Sequence, residues 1–417
     1  MVEWWNTATV VMKYCLIKRP IMISVASLCF VLSACLLVPL PSGGPQSASP
    51  VWTREVLKQG FPPAKAKLLL PRPGIVFLDN QRLIVYETEW TGGLSSRLSP
   101  DIGSTYQLDA SVIDAQSGKT ILDKHWGTRV VGSTIHVAAG GILVQSGNEL
   151  RILSYDFTEI RKMTFPDSSN DPNNPNHCHS QPIGVSPTGQ TIIVNCIGHT
   201  GLHYFSRLEV LNGKTFVPEY AWTESPPWYE RNYSISDKGI VAGLKVRQFG
   251  SNVWQTLIEA RQTGNLNTSD VRSPLTFITN SSLICVCYSG VSLISTTGHI
   301  LTTEPFPHGA TVGGDKRQSQ TSVIRNAKVA VAQGGQFVAV SFDRWEFKKH
   351  IFTEYSDRHI STQLLGCDSS LMACPLTVDI TPLPKWDSDY DFALSPDGSK
   401  LAVLNGRNVS VYLVSDN

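Results

Sequence analysis

The sequence has little charge and no excess of either sign. Its 417 residues hold 35 Lys and Arg against 34 Asp and Glu, a formal charge of +1, and only 17% of positions are charged. Without a basic stripe, or a run of like charges longer than a few residues, there is no electrostatic footprint for nucleic acid. The 32 Gly and 25 Pro are near average usage, which excludes collagen-like and low-complexity chains. No stretch after residue 40 keeps a helical period over three turns, which excludes a helical body. Also absent are a Gly-x-Ser-x-Gly nucleophile elbow, a phosphate-binding glycine loop and a His-Glu-x-x-His pair. What remains is a chain with 41% hydrophobic residues, able to build a large core, whose low charge suits a β-rich body with Ser, Thr, Asn and Gln on its surface.

One long apolar run stands at the amino-terminal side. Residues 21–40, IMISVASLCFVLSACLLVPL, carry no charge, and Lys13, Lys18 and Arg19 lie just upstream. A helix of 20 residues spans about 30 Å, the hydrocarbon thickness of a bilayer, and the positive flank predicts a cytoplasmic amino terminus with the body outside. The expected organisation is a cytoplasmic n-region over 1–20, a signal anchor or signal-peptide segment over 21–40, a Pro/Gly/Ser linker over 41–50 and one domain over 51–417. Two alternatives stay open. Cleavage near Ser47, Ala48 and Ser49 would secrete the body; Leu32-Ser33-Ala34-Cys35 resembles a bacterial lipoprotein box, which makes Cys35 a lipidation candidate. All three outcomes place the body across the membrane, as an extracytoplasmic protein of a bacterium.

After residue 51 the chain alternates short runs rich in Val, Ile, Leu and Tyr with turns of Gly, Asp, Asn and Ser, the pattern of strands and hairpins. Its clearest unit is FALSPDGSKLAVLNGRNVSVYLV, residues 392–414: three strands joined by a Ser-Pro-Asp-Gly turn and an Asn-Gly turn. Weaker copies place the first apolar residue after each turn at Leu83, Leu143, Ile192, Ile240, Leu283, Phe337 and Leu401. Their spacing of about 50 residues is that of a propeller blade. The expected fold is all-β: a β-propeller of seven four-stranded blades, preceded by one amino-terminal transmembrane or signal helix. The last copy ends after its third strand, so a strand from residues 51–70 is expected to complete it and close the ring.

Ser395-Pro396-Asp397-Gly398 and Ser186-Pro187-Thr188-Gly189, each followed by an apolar strand, resemble the repeats of bacterial secreted or membrane-anchored WD-repeat-like β-propellers of uncharacterised function. The resemblance covers about residues 66–417. It implies a binding platform rather than an enzyme. The Trp-Asp dipeptide that ends eukaryotic blades is missing from the equivalent strands; Trp386-Asp387 precedes a blade instead. ASVIDAQSGKTILDKHW, residues 110–126, is similar to quinoprotein repeats, but it recurs only once more, weakly, and reads as a hairpin with Asp114 and Gly118 in its turn.

Nine cysteines are present, six of them after residue 40. An even number in an exported body permits disulfides. Cys178 with Cys196 flank one hairpin and Cys367 with Cys374 close a CDSSLMAC loop, so these are the two expected bridges; Cys285 and Cys287, on one face of one strand, are expected as buried thiols. His177, His179, His199 and His203 lie near Cys178 and Cys196, but their spacing fits no zinc module, and neither a metal nor a cofactor is expected.

Loops entering the innermost strands line one mouth of a propeller. Three of them combine Trp, Tyr, Arg and carboxylates, the chemistry of binding hot spots: Trp386, Asp387, Asp389 and Tyr390; Asp343, Arg344 and Trp345; and Trp228, Tyr229 and Arg231. The expected function is non-catalytic recognition of a protein or a cell-envelope polymer through this mouth, by a monomer. The alternative is an extracytoplasmic hydrolase or lyase acting on a saccharide or lactone, which would bring carboxylates of different blades to one concave pocket.

Overall fold

The computed structural model describes residues 48–58, 60, 72–90, 106–128, 133–146, 149–164, 183–200, 203–224, 233–257, 275–287, 290–306, 311–312, 322–348, 356–371, 374–381 and 389–414. The amino-terminal apolar segment, Cys35 and Cys178 lie outside these residues.

The described residues form seven separate sheets, antiparallel but for one short parallel pairing in the sixth. Trp52–Glu55 (β1) is the first strand among the described residues but belongs to the last sheet. Blade 1 consists of Gly74–Phe77 (β2), Arg82–Trp90 (β3), Tyr106–Asp114 (β4) and Thr120–Thr128 (β5). Thr134–Ala138 (β6), Gly141–Ser146 (β7), Glu149–Leu153 (β8) and Glu159–Thr164 (β9) make blade 2. Ile183–Val185 (β10), Thr191–Thr200 (β11), His203–Asn212 (β12) and Pro218–Glu224 (β13) follow as blade 3. Blade 4 has Tyr233–Ile235 (β14), Gly239–Ala242 (β15), Lys245–Gln248 (β16) and Gln255–Thr256 (β17). Blade 5 has Thr276–Phe277 (β18), Ser282–Cys287 (β19), Gly290–Ser295 (β20) and Ile300–Pro305 (β21).

Blade 6 departs from the expected four strands. To Ser322–Val331 (β23), Phe337–Lys348 (β24), Ser356–Asp368 (β25) and Leu376–Asp379 (β26) it adds Thr311–Val312 (β22), which pairs in parallel with β23 at Val323 and Ile324. Blade 7 joins Tyr390–Leu394 (β27), Lys400–Asn405 (β28) and Asn408–Leu413 (β29) to β1, with Trp52 opposite Val411, Thr53 opposite Ser410 and Glu55 opposite Asn408. The missing outer strand is thus supplied from the other end of the chain, and no open edge is left on β29.

All seven positions named from the repeats fall at the start of the second strand of a blade. These strands read as continuous apolar runs because both of their faces are covered. In β3, Leu83 and Val85 pack toward blade 7 with Val409 and Val411, whereas Ile84 and Tyr86 pack toward blade 2 with Ile142 and Val144. The core is accordingly seven clusters, one at each blade interface. Each fully buried Leu or Ile side chain there contributes roughly 1.5–3 kcal/mol of transfer free energy.

The Ser-Pro-x-Gly turns lock neighbouring blades. Ser395 Oγ accepts from Lys400 N (2.9 Å) and donates to Asp397 Oδ1 (2.6 Å), while Asp397 N donates to Asn80 Oδ1 of blade 1 (2.9 Å). In blade 3, Ser186 Oγ and Thr188 Oγ1 donate to Asp237 Oδ1 of blade 4 at 2.7 and 2.6 Å. Asp237 N in turn donates to Asn280 Oδ1 of blade 5 (3.0 Å).

Cys367 and Cys374 are bridged, as expected. Cys285 is fully buried but is a disulfide cysteine and not a thiol; its partner lies among the side chains not described. The quinoprotein-like segment is the β4–β5 hairpin, closed by Gly118 N on Asp114 O (2.9 Å) with Gly118 at φ 70°.

Candidate functional site

Up-and-down strands give the ring two different faces. Turns between first and second strands, and between third and fourth, lie on one face, the turn face. Loops entering a blade and hairpins between second and third strands lie on the other, the entry face.

Hairpins of blades 1, 3 and 6 continue beyond their neighbours on the entry face. Their second strands hold 9, 10 and 12 residues, against 4 to 6 in blades 2, 4, 5 and 7. At about 3.3 Å per residue the six extra residues of β24 reach roughly 20 Å further. The pairing is continuous to the tips: Trp90 faces Tyr106, Thr200 faces His203 and Lys348 faces Ser356. His199 and His203, noted near the cysteines, therefore stand at the tip of the blade-3 arm.

The base of the blade-6 arm meets blade 7 in a polar seam, which gathers two of the three sequence candidates. Asp343 is 1% exposed and accepts from Thr362 Oγ1 (2.6 Å). That hydroxyl has one proton, so His359 Nε2, 2.9 Å from Thr362 Oγ1 and 3.1 Å from Ser361 O, is the donor to both. The His359 ring stacks on Trp345 with centroids 4.9 Å apart. Arg344 Nε is buried without a hydrogen-bond partner among the described residues. On the blade-7 side, Tyr390 is 1% exposed; its hydroxyl lies 3.0 Å from Ser341 Oγ, and Lys328 Nζ sits 4.2 Å above its ring while donating to its carbonyl (2.9 Å). Asp389 is half-buried at the entrance to β27. Asp343 and Tyr390 thus support the seam from beneath, while Trp345, Arg344 and His359 form its upper part. Trp386, Asp387, Trp228, Tyr229 and Arg231 lie outside the described residues, as does the pairing of Cys178 with Cys196.

A second polar group was not foreseen from sequence. Between β1 and blade 1 a cleft of about 370 Å³ is lined by Lys58, Glu87, Asp109, Ser111, Asp123 and His125, among others. Glu87, 6% exposed, accepts from Lys58 N (2.7 Å) and Gly60 N (3.0 Å). Asp109 accepts from His125 Nδ1 (2.7 Å), Gln107 Nε2 (2.6 Å) and Lys58 Nζ (3.3 Å). Burial opposes ionisation of Asp109, but these donors outweigh it and hold its carboxyl below the usual range. The cleft fastens the closing segment to blade 1, since Glu87 captures two of that segment's backbone amides. Its signal in the sequence is the placement of Glu87, Asp109 and Ser111 on second and third strands, where blade faces are otherwise apolar.

No protein-family model matches the chain, and no curated protein matches its sequence. Among solved structures it is similar to the WD40 domain of Neurospora crassa Pan2, at 9% identity and a TM-score of 0.36 over 90% of this chain and 98% of that one. It is also similar to KlHsv2 with loop 6CD replaced by a Gly-Ser linker, at 12% identity and a TM-score of 0.41 over 80% of this chain and 90% of that one.

Proposed function

We propose that the protein is a non-catalytic binding platform, tethered outside the cytoplasmic membrane, that takes a protein partner on the entry face between the arms of blades 1, 3 and 6. The arms carry this reading. Blades 2, 4, 5 and 7 complete the ring with second strands of four to six residues, and a paired extension of six further residues in blade 6 serves nothing inside the ring. Trp345, stacked and held by His359, supports the same reading as an aromatic anchor with little side-chain entropy left to lose. Arg344 beside it is half-buried and adds a positive charge to this part of the face. The bridge of Cys367 with Cys374 supports an oxidising compartment.

The test uses the full chain. Wild type is captured from solubilised envelope beside a variant whose residues 346–358 are replaced by a two-residue turn, and beside Trp345→Ala. The reading predicts a co-purifying protein that is lost with the shortened arm and weakened at least tenfold by Trp345→Ala, with unchanged melting temperature. Capture unaffected by both variants would contradict it; release by a soluble envelope polysaccharide would replace protein by polymer as the partner. For the location, mass spectrometry of the terminus distinguishes an intact anchor, acylation at Cys35 and a start near Ser49.

A further inference from the structure

The ring encloses a cavity of about 350 Å³ toward the turn face, to which the innermost strand of every blade contributes. Its wall holds no Asp, Glu, Lys or Arg: Val76, Val137, Ser234, Thr276, Ala330 and Ala393 each come from a different blade. Gln333 Nε2 donates to Thr188 O (2.9 Å), joining the turns of blades 6 and 3 from opposite sides of the ring and so crossing the mouth. Within this wall His136 stands apart. Ser186 Oγ is engaged by Asp237, and Ser234 Oγ accepts from Phe277 N (3.0 Å), but the imidazole of His136 has no hydrogen-bond or ion-pair partner among the described residues.

We propose that this cavity is a binding site for an uncharged small molecule of about single-ring size carrying one hydroxyl or carbonyl group, with His136 as its hydrogen-bonding partner. The volume lies at the lower end of the range for ligand pockets. A wall that mixes apolar side chains with neutral polar ones selects a neutral body. A charged ligand would meet no counter-charge in the lining and would lose its hydration without compensation. Burial pushes the His136 pKa down to about 4, so at neutral pH the ring offers one donor and one acceptor. This inference is independent of the entry-face reading, because the lining belongs to the opposite end of the channel.

The test titrates the full chain with phenol, benzene and benzoate while observing the His136 ring nitrogens by nuclear magnetic resonance. Phenol is expected to bind and shift them, benzene to bind without a hydrogen-bond shift, and benzoate not to bind. His136→Leu should weaken phenol about tenfold and leave benzene unchanged, and Ala330→Phe, which fills the cavity, should abolish both. If Ala330→Phe does not fold, the wild-type series and His136→Leu decide. Absence of phenol binding, equal binding of benzoate, or equal phenol affinity in His136→Leu would overturn the proposal.

Discussion

Gly334 and Gly335 are adjacent in the blade-6 turn with φ of 88° and 72°, yet their surroundings differ. A Cβ on Gly334 meets nothing within 4 Å, whereas one on Gly335 would lie 2.3 Å from the backbone oxygen of Ile278 in blade 5. Gly334→Ala should therefore cost only the left-handed backbone, about 1 kcal/mol, while Gly335→Ala should cost roughly 1–3 kcal/mol more through overpacking. Urea unfolding of the two variants checks the difference. His136 gives a pH prediction. Its folded pKa of about 4 lies below the unfolded value near 6.5. The unfolded chain therefore takes up the proton first as pH falls, and stability present above pH 6.5 is lost toward pH 4 by up to roughly 1.4 kcal/mol per pH unit. His136→Leu should flatten this part of the profile. Asp391 runs in the other direction: burial raises its pKa, with Lys328 opposing. Asp391→Asn should raise the melting temperature at pH 7, and the gain should vanish below the unfolded aspartate pKa.

At the scale of elements, hairpin turns were legible because they are local. Ser, Pro, Asp and Gly at fixed offsets set the backbone of the turn whatever surrounds it, and Leu83 through Leu401 all mark second strands. The arms were not legible. Trp90 pairs with Tyr106 across residues 91–105, and no local signal tells how far two strands remain paired beyond a blade. The added β22 is two residues long and shows no period. Among the candidate residues, sequence chemistry located the blade 6–7 seam but not the division of labour within it. Alternation along β24 buries Ser341 and Asp343, and Tyr390 turns its hydroxyl to Ser341, so the polar groups support the seam while Trp345 and His359 cap it. Trp345→Ala should speed amide hydrogen exchange over residues 342–348 while leaving the global unfolding midpoint within about 0.5 kcal/mol, as for a substitution outside the blade cores.

The whole molecule depends on contacts that span the sequence. Trp52 Nε1 donates to Ala115 O (2.9 Å), Arg54 Nη1 to Gly118 O (2.8 Å) and Arg407 Nε to Leu57 O (3.0 Å), tying the closing strand both to blade 1 and to the last hairpin. Closure itself was readable from the truncated last repeat. The cleft that fastens it was not, because Glu87 and Asp109 mark a polar group on these strands without telling that Lys58 and Gly60 reach it. The closed ring of seven blades underlies every site described, and the register of β1 on β29 tests it most directly. Thr53 Oγ1 and Ser410 Oγ lie 2.8 Å apart although 357 residues separate them. Thr53→Cys combined with Ser410→Cys should form an intramolecular disulfide, identified by peptide mass spectrometry, and raise the melting temperature. Failure of that pair to bridge, or preferential bridging of Thr53→Cys with Val409→Cys or Val411→Cys in place of Ser410→Cys, would contradict the closure described.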